Sequence, residues 1–114
     1  MLISEFLIDE NASMIDGMKQ LDKVAKKVLF VVRKGSFVAA ITDGDIRRWI
    51  LKKGNLEAKI KNIANYSPKF LSEEDRAKAK DFMKKHYIEA LPILDTDNNI
   101  ISVILWNDEE VKPK

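Results

Sequence analysis

The chain repeats itself. Gly17, Leu21 and Phe30 align with Ala79, Met83 and Pro92 at a constant offset of 62 residues, and Ala39, Thr42 and Asp45 align with Ser102, Leu105 and Asp108 at 63. The single-residue change falls inside the turns, where an insertion is cheap. An offset that holds through a helix and two strands marks two copies of one supersecondary unit. Each copy is too small to bury a sheet alone. The expected fold class is therefore α+β: two small mixed β-sheets, each flanked by two helices, related by a pseudo-twofold axis. The copies are read as residues 1–55 and 56–114, forming one globular module whose last helix is cut short.

Periodicity supplies the elements of each copy. Phe6-Leu7-Ile8 reads as a strand, and Met14, Met18 and Leu21 form the apolar stripe of a helix near residues 12–26. Met14 and Met18 are both assigned to the core. Val28 to Val32 and Phe37 to Ile41 are strands joined by the polar turn Arg33-Lys34-Gly35-Ser36. Thr42-Asp43-Gly44-Asp45 reads as a turn, and Ile46, Trp49 and Ile50 as the face of a second helix ended by Gly54. The order then recurs. Leu56, Ile60 and Ile63 mark a short helix, Pro68 breaks it, and Lys69-Phe70-Leu71 is a strand. A helix over residues 73–86 begins at Ser72. Leu91 to Leu94 and Ile100 to Leu105 are strands around the turn 95–99, and a further helix is expected to begin at Asn107-Asp108.

Composition narrows the function. Lys and Arg number 20 against 18 Asp and Glu, a net charge of +2, which argues against a dedicated nucleic-acid binder. The absence of cysteine excludes disulfide scaffolds, thiolate metal sites and cysteine nucleophiles, and fits a reducing cytosol. One histidine, His86, leaves little material for hydrolytic or metal chemistry; at the end of its helix it reads as structural. Neither a metal nor a resident cofactor is expected. The N-terminus is acidic within ten residues and lacks the pattern of a signal peptide. The longest apolar run, residues 100–106, is too short to span a bilayer. A cytoplasmic protein without membrane contact is expected. The polar end from Glu110 to Lys114 reads as the start of a linker.

The chemistry gathers where the third strand meets the helix after it. Small Ala39 and Ala40 permit close approach to the backbone. The start of a helix suits a phosphate, the Thr42 hydroxyl can donate to it, and Asp45 can accept from two vicinal ribose hydroxyls. Arg47 and Arg48 can pair with further phosphates. The same residues also make good turn and N-cap chemistry that needs no ligand. Both readings stand at this point.

The string F-V-A-A-I-T-D-G-D-I-R-R, followed half a chain later by H-Y-I-E-A-L-P-I-L, resembles a tandem pair of cystathionine-β-synthase (CBS) domains, a Bateman module, over residues 3–110. T-D-G-D-I-R-R in particular is similar to pairs that precede sugar-phosphate nucleotidyltransferase domains. The resemblance implies a regulatory module for an adenine nucleotide (AMP, ADP or ATP), with S-adenosylmethionine a less frequent ligand of the family. It implies a homodimer joined through helices. It places phosphate at Thr42, ribose at Asp45, and the base against Ala40 and Ile88-Glu89-Ala90, with backbone near Pro68 and Lys69. Arg47 and Arg48 are candidate phosphate contacts. A second site formed by Val103, Leu105 and Asp108 is degenerate, because Leu105 stands where the family has Thr or Ser and Trp106 adds bulk. Trp106 itself reads as a plug in that site or as part of a dimer surface. The family's glycine before the motif is replaced by Ala39 and Ser102. No phosphate-binding glycine loop of a catalytic domain is present, so the chain is not expected to be an enzyme, and a nucleotidyltransferase domain is expected beyond Lys114. The alternative is a ligand-free dimerisation module that uses the face of Ile46, Trp49 and Ile50.

Overall fold

The computed structural model describes residues 2–24, 27–107 and 109–112. Contacts divide the chain into two compact units, Glu5–Pro68 and Lys69–Lys114 with Met1–Ser4.

The first unit is a three-stranded sheet with two helices. Strand β1 (Leu7–Asp9) runs parallel to β2 (Val28–Arg33), and β2 is antiparallel to β3 (Ser36–Thr42), in the order β1-β2-β3. Helix α1 (Met14–Lys23) links β1 to β2, as a parallel pair requires. Ser13 caps it by accepting from the Asp16 N–H. Lys34 and Gly35 both have positive φ, the pattern of a two-residue type I′ hairpin. Helix α2 (Asp43–Lys53) follows β3 without a break and ends at Gly54 in the left-handed region, φ 67°. The segment after α2 returns along α1: Met14 donates to Ala58, and Ile60 and Lys61 donate to Ala12 and Glu10. For this reason the compact unit extends to Pro68. Phe6 stacks on Phe30 at 6.1 Å between ring centroids, and Phe37 meets Phe30 edge-on at 5.9 Å.

The second unit repeats the plan. Strand β4 (Leu71–Ser72) is parallel to β5 (Ala90–Leu94), which is antiparallel to β6 (Ile100–Leu105), and β7 (Glu110–Val111) adds to the outer edge of β6. Helix α3 (Ala79–His86) packs Ala79 and Met83 on Leu91 and Ile93. The ladders break at matching places, between Val31 and Val32 in one unit and between Ile93 and Leu94 in the other. Val38 and Ile101 are the residues left over, 63 apart, so even the bulge is duplicated.

Several expectations need correction. Thr42-Asp43-Gly44-Asp45 is not a free turn: Thr42 is the N-cap and the other three form the first turn of α2. Leu56 is exposed and non-helical, and only Ile60–Asn62 make a 3-10 turn there. Residues 73–78 are 3-10 rather than α, because no apolar side chain among them is buried to hold a helical face. Met18 is 40% exposed, whereas Met14 is fully buried. No helix begins at Asn107. The chain turns back into β7, with Leu105 donating to Glu109, and Asp108 lies outside the described residues.

Candidate functional site

Thr42 and Asp45 cap one another. The Thr42 hydroxyl accepts from the Asp45 N–H at 3.1 Å, and Asp45 Oδ2 accepts from the Thr42 N–H at 3.0 Å. This reciprocal box satisfies two donors at the start of α2. It leaves the hydroxyl hydrogen of Thr42 available to donate, since that oxygen acts in the box as acceptor. Arg48, one turn on, donates to the other Asp45 oxygen, Oδ1, at 2.8 Å. Arg47 stands 3.6 Å from Asp43 on the more exposed side of the helix. Asp45, Arg48, Trp49, Lys52, Lys53, Asn62 and Ile63 line a shallow groove of about 210 Å³ along α2. Its cations suit phosphate, but its size is below the usual range for a whole buried ligand.

Ala40 is half-buried at the edge of β3, and its N–H and C=O both bond Asn65, at 3.0 and 2.8 Å. The close approach that the two alanines permit is thus taken by the chain's own backbone at Asn65. Ala39 is fully buried and pairs with Val31. Pro68 is half-buried at the end of the same unit.

Lys69, Ile88, Glu89 and Ala90 belong to the second unit. Lys69 is exposed, and Ala90 is buried opposite Leu105 at the start of β5. Ile88 and Glu89 line a groove of about 340 Å³ with Met83, Lys84, Tyr87 and Trp106. Trp106 is a wall of this groove, 44% exposed, and does not plug a buried site. The Lys80 ammonium lies 4.8 Å from its ring centroid. Val103 and Leu105 are fully buried in β6 and present no group to a ligand. The backbone equivalence persists here: the Asp43 N–H donates to Lys27 in the first unit as the Trp106 N–H donates to Glu89 in the second.

Sequence reasoning missed Lys52 and Lys53 beside Asp45, and Met83, Lys84 and Tyr87 beside Ile88. The spacing of Asp45 and Arg48, at i and i+3, is the one signal that could have announced their ion pair. His86, as expected, ends α3, where its ring packs on Phe82 at 4.4 Å. The apolar face expected on α2 is not exposed as a whole. Ile46 is buried, Trp49 and Ile50 are half-buried, and the exposed apolar residue of α2 is Leu51.

No protein-family model matches the chain. It is 28% identical over 99 residues to arabinose 5-phosphate isomerase GutQ of Escherichia coli K12, covering 85% of this chain and 31% of that protein. It is 31% identical over 80 residues to a probable arabinose 5-phosphate isomerase of Haemophilus influenzae, covering 68% and 24%. The chain thus spans about a third or less of the length of these relatives. Among solved structures it resembles the CBS domains of a Streptococcus pneumoniae transcriptional regulator (TM-score 0.76, 15% identity, 95% of this chain and 89% of that one). A CBS domain protein of Pyrobaculum aerophilum complexed with AMP gives 0.73 at 19% identity, over 90% and 80%. The cytosolic domain of the Mg²⁺ channel MgtE in complex with ATP gives 0.74 at 15%, over 91% and 43%. With two small mixed sheets built on one duplicated plan, the chain has the fold of tandem CBS pairs.

Proposed function

We propose that this chain is a regulatory module that binds an adenine nucleotide through Thr42 and Asp45, with Arg47, Arg48, Lys52 and Lys53 as the cations available to phosphate. The observation that carries the reading is the placement of Thr42 and Asp45 at the junction of β3 and α2 in a CBS-type fold, with Arg47, Arg48, Lys52 and Lys53 on the same helix. Two proteins of that fold were solved with AMP and with ATP, which supports the ligand class. The residues of the duplicate positions, Val103 and Leu105, lack the polar groups needed, so one site per chain is the reading for the motifs 1–55 and 56–114.

The module's target is an enzyme of sugar-phosphate metabolism. T-D-G-D-I-R-R favours a nucleotidyltransferase domain, while the Escherichia coli and Haemophilus influenzae relatives are an arabinose 5-phosphate isomerase and a probable one. Binding energy that differs between two packings of the module is what would bias such a partner. A homodimer is part of this reading, with exposed Leu51 as a contact on α2. The second reading, a ligand-free dimerisation module, is favoured by the exposure of Leu51, Tyr87 and Trp106.

A thermal-shift panel of AMP, ADP, ATP, GTP, CMP and S-adenosylmethionine tests the proposal. A ligand of the folded state raises the melting temperature once its concentration exceeds its Kd. An adenine nucleotide is expected to do so in the wild type and to lose the effect in Asp45→Ala. Silence from the whole panel at millimolar concentration, with a concentration-dependent dimer in the ultracentrifuge, favours the second reading instead.

A further inference from the structure

Gly44 is not there for its backbone. Its φ lies outside the left-handed region, so any residue could adopt its conformation. What a side chain would disturb is Arg48: a Cβ at position 44 would sit 3.2 Å from Nη1 and 3.5 Å from Nη2 of that guanidinium. The guanidinium folds back over the first turn of α2 and reaches Asp45 Oδ1 at 2.8 Å. The other oxygen is held by the Thr42 N–H. The backbone contact cannot be given up without fraying the helix. The Arg48 contact can, because the Arg48 side chain is 61% exposed and that of Asp45 is 22% exposed.

We infer that Arg48 is a built-in competitor for the carboxylate of Asp45, beside the space left by Gly44, and that a ribose diol binds Asp45 Oδ1 in competition with it. The inference rests on the nucleotide reading above. It makes Arg48 an affinity-setting residue of two opposed effects. It weakens the hold on ribose, and once displaced it stays one turn away as a cation for phosphate. An exposed pair of this kind holds weakly, so the latch lowers ribose affinity by about 1.5- to 5-fold. It is also screened by salt.

Titration calorimetry with adenosine, which has no phosphate, isolates the competition. Adenosine is expected to bind about 1.5- to 5-fold more tightly to Arg48→Met, and unchanged to Lys23→Met, which removes one positive charge from an exposed position of α1. Raising salt should tighten adenosine binding in the wild type and not in Arg48→Met. Adenosine binding that is unchanged or weaker in Arg48→Met overturns the latch alone. Failure of both adenosine and AMP to bind any of these proteins overturns the nucleotide reading with it.

Discussion

Ser102 occupies the position of Ala39 in the duplicate strand and is just as buried, yet its hydroxyl has no hydrogen-bond partner among the described residues. A buried hydroxyl without a partner carries a desolvation cost of about 1–3 kcal/mol. Ser102→Ala, which copies the other half, is therefore expected to stabilise the fold by about 1 kcal/mol in urea unfolding; a loss of stability would show that the hydroxyl is bonded in solution. Gly17 makes the opposite case. A Cβ there would lie 2.6 Å from the terminal methyl of Ile60, which is fully buried. Gly17→Val is expected to cost about 2 kcal/mol, since overpacking of 1–3 kcal/mol outweighs the gain in helix propensity. An unchanged unfolding midpoint would contradict the close approach. Neither environment was legible in the sequence, which shows a glycine and a serine at repeat positions and nothing of what faces them.

Among the elements, the strands were the best read, because each is a short apolar run between turn residues. The strand expected over Lys69-Phe70-Leu71 is instead Leu71–Ser72, and a missing donor explains the shift. Ala40 bonds Asn65, so its pair with Phe30 is not hydrogen-bonded and the polar groups of Phe30 face β1. Pro92 stands at the same place in β5 and has no N–H to offer β4. The ladder that begins at Leu7 in one unit accordingly begins only at Leu71 in the other, leaving Phe70 exposed. The ends of β1 and β2 are tied by Glu10 and Arg33 in a two-pronged pair at 2.7 and 3.0 Å, with the Tyr66 hydroxyl near by. The hydrogen bond from Arg33 holds the Glu10 carboxyl below its ordinary value of 4.5. Arg76 does the same for Glu73, and the Asn99 N–H for Asp95. A carboxyl lowered in the folded state stabilises fully above its ordinary value, and the effect is lost as pH falls through the lower folded value. Stability is therefore expected to fall below about pH 4.5, with a shallower fall in Glu10→Gln, which cannot take up that proton. Equal pH slopes for the two proteins in urea titrations would remove Glu10 from the account.

For the molecule as a whole, the duplication was legible because hydrophobic spacing survives divergence. The occupancy of the site was not. Thr42 and Asp45 suit phosphate and ribose by type and a helix cap by position, and the coordinates show the cap formed, with Arg48 on the second Asp45 oxygen. Among the described residues no helix is long and apolar enough to cross a membrane. Nucleotide recognition by this chain depends on the Asp45 carboxylate reading a ribose. The direct measurement is the affinity of the chain for AMP against 2′-deoxy-AMP, in the wild type and in Asp45→Ala, with circular dichroism to confirm that α2 survives loss of its cap. One charge-assisted hydrogen bond is worth about 1.5–3 kcal/mol, so the wild type should prefer the ribonucleotide by about 10- to 150-fold and the variant should bind both alike. Equal binding of the two nucleotides by the wild type, or a preference that Asp45→Ala retains, would contradict it.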